Sequence, residues 1–188
     1  MNSNSKNSEI LEATLNKITN IQIIIDTNKI QNNYPNGGSK DSTNPTGIGY
    51  QYQYMVCSNS TGSTGSSTED LTITALVGDI VRFNAVSEFD NFSSAVVIYN
   101  VQKSSGTNVF GDFTSEVFTA PGIQPSPEAP LPIQVVNTMT YWFYKTYVIR
   151  TGKEYYDISF ALYTLDRAAG TMKLFGYFQC GSRITVEG

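Results

Sequence analysis

From residue 21 onward, apolar side chains recur at every second position in short runs, and clusters of Gly, Pro, Asn, Asp and Ser interrupt each run before a long helix can form. A period of two places alternate side chains on opposite faces of an extended chain, which is the pattern of a half-buried strand. Leu71, Ile73, Ala75 and Val77 alternate with Thr72, Thr74 and Leu76. After a turn at Gly78-Asp79, Val81, Phe83 and Ala85 oppose Ile80, Arg82 and Asn84. Stretches 21–25, 50–56, 133–136, 141–149, 155–165, 174–179 and 183–186 read as further strands, and the continuous apolar run 95–101 reads as a buried one. In 50–56, the alternation puts Tyr50, Tyr52 and Tyr54 on one face and Gln51 and Gln53 on the other. Residues 32–49 are dense in turn formers, and 58–68 form a Ser/Thr/Gly loop. Residues 119–132 hold five prolines and are expected to lie outside any ladder interior. Roughly eight to ten short strands without crossover helices predict two sheets packed face to face, the all-β sandwich class.

A chain of 188 residues suits one domain. The expected division is a flexible arm over 1–18 and a β-sandwich domain over 19–188. Within the arm, Ile10, Leu11, Leu15 and Ile18 have roughly helical spacing. Both a frayed terminus and an arm packed on a neighbouring subunit fit that pattern. Charged residues make up only 15% of the chain, so the surface must be built from Asn, Ser, Thr, Tyr and Gln. Such a surface hydrogen-bonds neutral polar ligands and meets neighbouring copies without strong charge repulsion. A net charge of −4 with scattered Lys and Arg argues against nucleic acid, and no basic run suits an anionic membrane. The polar N-terminus predicts no signal peptide, and no apolar run is long enough for membrane insertion. The expected location is the cytoplasm, with Cys57 and Cys180 as reduced thiols.

The chain contains no histidine, which excludes Ser-His-Asp and Cys-His machinery and every histidine-bearing zinc site. Two cysteines cannot form a four-cysteine site, and no phosphate-cradling glycine motif precedes a helix. Glycoside hydrolysis needs only two carboxylates, and Glu88, Asp90, Glu154 and Asp157 are available. Nothing in the sequence makes any two of them converge, so the expectation is a protein without catalytic residues, cofactor or metal centre. Segment 87–94 gathers Glu88, Asp90 and Asn91 around two phenylalanines. It can accept hydrogen bonds from sugar hydroxyls, and its oxygens leave calcium open. The alternative is a loop whose side chains satisfy their own backbone. Arg82 and Asn84 leave one strand on the same side, as a ligand clamp or a structural pair. Trp142 and Tyr144 share a strand face, as a platform for a sugar ring or as core. These seven residues form the candidate glycan site. Twelve tyrosines point to interfaces, where one end of the ring is apolar and the other polar. The stripe Tyr50, Tyr52 and Tyr54 is the candidate self-assembly surface.

At the residue level the chain resembles the PixA/AidA bacterial inclusion-body family. The resemblance begins with Asp26-Thr27, Tyr34-Pro35-Asn36 and Asn44-Pro45-Thr46. It continues through 50–55 (YQYQYM), Val77-Gly78-Asp79, Val81-Arg82, Ser87, Asn91-Phe92 and Ala95-Val96. It ends with Trp142-Phe143, Thr151-Gly152, 160–163 (FALY) and 174–179 (LFGYFQ). No single tripeptide is specific, but the ordered succession spans about residues 21 to 186. Departures are Cys180-Gly181, where the family commonly has Trp-Asp, and Phe83, where it commonly has Trp. The resemblance implies a jelly-roll-like sandwich of two antiparallel sheets in a homo-oligomeric cytoplasmic protein that accumulates as inclusions. It also implies lectin-like binding of neutral host or bacterial glycans, and carries over no catalytic motif. A purely structural or storage self-assembler is the alternative, and an enzyme acting on carbohydrate the third.

Overall fold

The first strand shows how the alternation is used. In β1 (Ile18–Ile25), Thr19, Ile21, Ile23 and Ile25 are buried, while the residues between them are exposed or half-buried. Each fully buried isoleucine contributes about 1.5–3 kcal/mol relative to exposure, so a one-residue slip of this strand is strongly disfavoured. The computed structural model describes residues 16–58, 70–128 and 131–188. Most of the expected arm and of the 58–68 loop therefore lies outside the described residues. After β1 come helix α1 (Thr27–Asn33), β2 (Thr46–Ile48), a 3-10 turn (Tyr50–Tyr52), β3 (Gln53–Cys57) and β4 (Asp70–Thr74). They are followed by β5 (Ile80–Ser87), β6 (Ser94–Gly106), β7 (Thr114–Gln124), β8 (Gln134–Tyr147), β9 (Gly152–Asp166) and β10 (Thr171–Glu187).

Sheet one has the order β3-β1-β5-β8-β7, and sheet two the order β2-β10-β9-β6, with β4 also paired to β10. The two-sheet, all-β architecture agrees with the sequence reading. The sheets are mixed, however, rather than antiparallel throughout: β1 runs parallel to β5, and β10 runs parallel to both β2 and β4. Parallel neighbours need a long crossover between them. The chain supplies one here by passing through α1, β2, β3 and β4 before β5 returns in the direction of β1. One hydrophobic core lies between the sheets, drawn from Ile21, Ile23 and Phe83 on one side and Ile158, Phe160 and Phe178 on the other.

Other expectations change in detail. The run 95–101 is buried on one face only, since Val96 and Ile98 are buried while Val97 is exposed. The separate stretches 133–136 and 141–149 fall largely in the single strand β8, and 174–179 and 183–186 in the single strand β10. The proline-rich segment does enter a ladder, because β7 runs to Gln124 through Pro121. Pro121 sits where the β7–β8 register shifts between Ala120 and Gly122, on a strand at the edge of its sheet. An edge bulge requires no ladder N–H from that residue, so proline is tolerated there. A similar shift between Leu174 and Gly176 lets the loop after α1 cross β10. A Cβ at Gly176 would lie 2.4 Å from the Gly38 backbone, so only glycine fits this crossing.

Candidate functional site

The seven predicted glycan residues do not converge on one face. Arg82 and Asn84 leave β5 opposite the buried Val81, Phe83 and Ala85, and so lie on the outer face of sheet one. The Arg82 guanidinium packs over the Phe143 ring, 4.2 Å from its centroid. Its Nε and the Asn84 Oδ1 are buried without a hydrogen-bond partner among the described residues. Trp142 and Tyr144, by contrast, pack against the core between the sheets. The Tyr144 hydroxyl donates to the carbonyl of Tyr99 on β6 of the other sheet.

Glu88 and Asn91 are committed to backbone. The Glu88 carboxylate accepts from the N–H groups of Thr27 and Asn28, each at 2.8 Å, and from the Thr27 hydroxyl at 3.0 Å. Those are groups that the first turn of α1 leaves without helical partners. Asp26 completes the cap by accepting from the Lys29 N–H at 2.9 Å. Asn91 Oδ1 accepts from Ser87 N–H at 2.9 Å and Val96 N–H at 3.0 Å, closing a turn in which Asp90 and Asn91 have φ of 53° and 57°. Asp and Asn are among the few residues that adopt this left-handed conformation readily. Asp90 is exposed at the tip of the turn.

The tyrosine stripe is interrupted. Residues 50–52 form a 3-10 turn and the strand starts at Gln53, so the expected alternation from Tyr50 is corrected. Tyr50 and Tyr54 are exposed, whereas Tyr52 is buried, edge-on to Tyr34, and its hydroxyl accepts from Asn33 at 2.8 Å. The register is set by Gln53, which is fully buried. Its Nε2 donates to Gly181 O at 2.9 Å and Ser182 Oγ at 2.6 Å, and its Oε1 accepts from the Cys180 thiol. A glutamine so satisfied takes an inward position that the polarity pattern assigns to the outer face.

The β7–β8 hairpin exposes apolar side chains along much of its length. β8 pairs with β5 only from Tyr144 to Tyr147, so its first ten residues have only β7 as a described strand neighbour. Val117, Ile123 and Val135 on this ribbon are 68%, 69% and 71% exposed. Nearer the sandwich the ribbon is braced by stacked Phe118 and Tyr141 and by a 2.9 Å Lys145–Glu116 ion pair.

A cleft of about 400 Å³ opens beside β6, β9 and the strap 107–113. Phe110 is pinned to Val148 by a bridge, and the N–H of Gly111 donates to Tyr147 O at 2.9 Å. Glu154, 2% exposed, holds the strap from below: its Oε2 accepts from Val109 N–H at 2.6 Å and Phe110 N–H at 3.2 Å. Lys103 Nζ stands 3.8 Å from its Oε1. These contacts offset the desolvation of a buried carboxylate. Next to it, Tyr156 is buried against Phe110 and Phe113. Its hydroxyl finds no well-directed hydrogen-bond partner among the described residues. Burial, and then the neighbouring Glu154 carboxylate, raise its pKa above the ordinary tyrosine range. Of the carboxylates considered for hydrolysis, only Glu154 lines this cleft, where it is joined by Asp112; Asp157 leaves the opposite face of β9. The one sequence signal for this cleft is that Glu154 and Tyr156 stand in phase with core Ile158. Among the described residues, no group of three acidic or cysteine side chains is placed to hold a metal ion, and no helix is long and apolar enough to cross a membrane.

Two mixed sheets over one core, with polar side chains largely tied to backbone, define a β-sandwich protein whose distinctive features are surfaces. The family model for PixA, described as inclusion body protein, matches residues 17–186, and the chain belongs to that family. The crystal structure of an inclusion body protein of the same family from Burkholderia cenocepacia J2315 superposes with a TM-score of 0.77 at 30% identity, covering 93% of this chain and 98% of that one. No curated protein matches. The family assignment agrees with the resemblance in the sequence and places the chain among inclusion body proteins.

Proposed function

We propose that this chain is a non-enzymatic protein that self-assembles into inclusions in the bacterial cytoplasm, with the projecting β7–β8 ribbon as the surface that meets the next copy. The observation that carries this reading is the ribbon itself. A two-stranded ribbon is marginal in water without a covering layer. This one exposes Val117, Ile123 and Val135 and has no charged residue from Val117 to Gln124 or from Gln134 to Tyr144. A second copy of the same neutral surface covers it without burying an unpaired charge. β7 is also an edge strand, whose free backbone groups can pair with another strand. The Burkholderia relative is itself titled an inclusion body protein, which supports the same reading.

The test places lysine at Val117 and Val135 together and follows assembly by sedimentation and by imaging dense bodies in expressing cells. Both side chains are largely exposed, so the fold is expected to survive while large species and bodies disappear. A folded double variant that assembles like the parent overturns the ribbon as the interface. A parallel Tyr50→Ser, Tyr54→Ser variant compares the surface expected from the sequence. Lectin-like binding of neutral glycans is the second part of the proposal, supported by the weakly charged surface rich in amides and hydroxyls. A glycan array read with and without calcium tests it, and no binding in either condition leaves a purely structural or storage protein.

A further inference from the structure

We infer that the outer face of sheet one is a second self-assembly surface, and that it receives the turn Phe89–Phe92 of the next copy, with Asp90 set against Arg82. The charged residues on the five strands of this sheet are Arg82, Glu116 and Lys145 alone, and the register brings all three to the outer face. Lys145 is matched by Glu116, whereas no ion pair among the described residues includes Arg82. Arg82 is therefore a half-buried, unmatched cation on the central strand of the sheet. Around it, Ile18, Tyr54 and Val56 on one side and Phe118, Tyr141 and Tyr147 on the other are 36–46% exposed. A broad face with a largely apolar and aromatic border, few charges and an arginine at its centre has the composition of a protein–protein interface. The turn after β5 has the complementary composition. Phe92 is 78% exposed and Phe89 39%, with exposed Asp90 between them. The Asn91 bonds to Ser87 and Val96 hold this turn in place, so little conformational freedom is lost when it docks. Arg82 of the same chain is out of reach, because Ser87 already lies five residues further along β5, about 16 Å at the usual strand rise. The contact thus joins unlike surfaces of two copies. A ribbon paired with itself closes at two copies, whereas a contact between unlike surfaces leaves one of each free and continues to grow. The turn offers few residues, so it holds weakly until ribbon pairing presents two turns at once. The inference rests on self-assembly through the ribbon and adds the contact that lets the assembly grow.

The experiment uses the full chain with its ribbon unchanged and follows species size by sedimentation across a concentration series, with circular dichroism to confirm folding. Phe92→Ser is expected to stop growth near the dimer and to raise the concentration needed for larger species by about ten-fold or more, the effect of one lost interface anchor. Asp90→Lys and Arg82→Glu are each expected to do the same by setting like charges against each other, and the double variant to recover growth because the pair is reversed. Phe92→Ser changes an exposed side chain, which keeps the test valid if Arg82→Glu folds poorly. A folded Phe92→Ser protein that grows like the parent overturns the turn as the docking element and leaves the ribbon standing. Growth lost in both single charge variants and not regained in a folded double variant overturns the Arg82–Asp90 pairing. A parent that stops at dimers overturns this inference alone, and a parent that stays monomeric at every concentration overturns self-assembly with it.

Discussion

Replacing Glu88 with alanine separates a ligand-binding carboxylate from a structural clamp. Three donors of Thr27 and Asn28 lose their acceptor in this variant. Asn28 is exposed and can turn to water, but Thr27 is fully buried, so its N–H and hydroxyl cannot. A buried polar group left unsatisfied costs about 1–3 kcal/mol, and loss of a helix cap about 0.5–2 kcal/mol. These are partly the same interaction, and Asp26 still caps Lys29, so the expected loss is about 2 kcal/mol rather than their sum. For a domain of this size that lowers Tm by about 4–8 °C. Thermal unfolding followed by circular dichroism in the far and near ultraviolet measures it. Glu88→Gln should fall between parent and alanine, because one carboxamide oxygen still accepts where two carboxylate oxygens did. A Glu88→Ala protein melting within 1 °C of the parent would refute the clamp. Refutation would return Glu88 to the pool of ligand groups.

Two further expectations follow from the charge and thiol environments. Cys180 is buried and its thiol is pushed up to about 12, chiefly by that burial, whereas Cys57 is half-buried at the end of β3. A thiol-specific reagent near neutral pH should therefore label one cysteine in the native protein; Cys57→Ser should abolish that labelling, and fast labelling of Cys180 before unfolding would contradict the packing. Asp166 lies at the end of β9, where Lys173 and then the N–H groups of Ala169 and Ala168 lower its pKa. A carboxylate with a depressed folded-state pKa stabilises the fold above its unfolded value, near 4, and that stability is lost as pH falls through the lower folded value. Asp166→Asn should thus be less stable than the parent at neutral pH and converge with it in acid, and melting curves that stay parallel down to pH 2 would exclude the linkage.

The fold was legible where side-chain polarity and burial coincide. β5 is the clearest instance, since Val81, Phe83 and Ala85 take the core face as their period requires. Strand order was not legible, because the pairing of β1 with β5 instead of a sequence neighbour depends on contacts far apart in the chain. Helix α1 was missed for a related reason. Its seven residues, TNKIQNN, carry little apolar periodicity, and its first turn is capped by Glu88, about sixty residues further on. The β7–β8 ribbon was hidden by its prolines: Pro121 marks a break by local rules, and only pairing across the hairpin shows a bulge that accepts it.

The candidate sites follow the same physical division. The glycan candidates were selected as polar or aromatic groups that looked available, yet availability depends on partners that a linear pattern does not show. Glu88 faces a helix end, Asn91 faces its own turn, and Tyr144 reaches the carbonyl of Tyr99 across the core. The more informative signal is a polar residue in phase with apolar ones. Gln53 and Glu154 both occupy buried strand positions, but their surroundings differ. Gln53 meets Gly181, Ser182 and Cys180 with both ends of its amide, and so fixes the register of β3. Glu154 spends one oxygen on the strap, stands 3.8 Å from Lys103 with the other, and has the Tyr156 hydroxyl set against the same carboxylate. A core-phase polar group with all its partners inside the protein explains architecture. Glu154 does the same from within β9, where a lone acid in core phase marks the point at which the strap 107–113 is tied down.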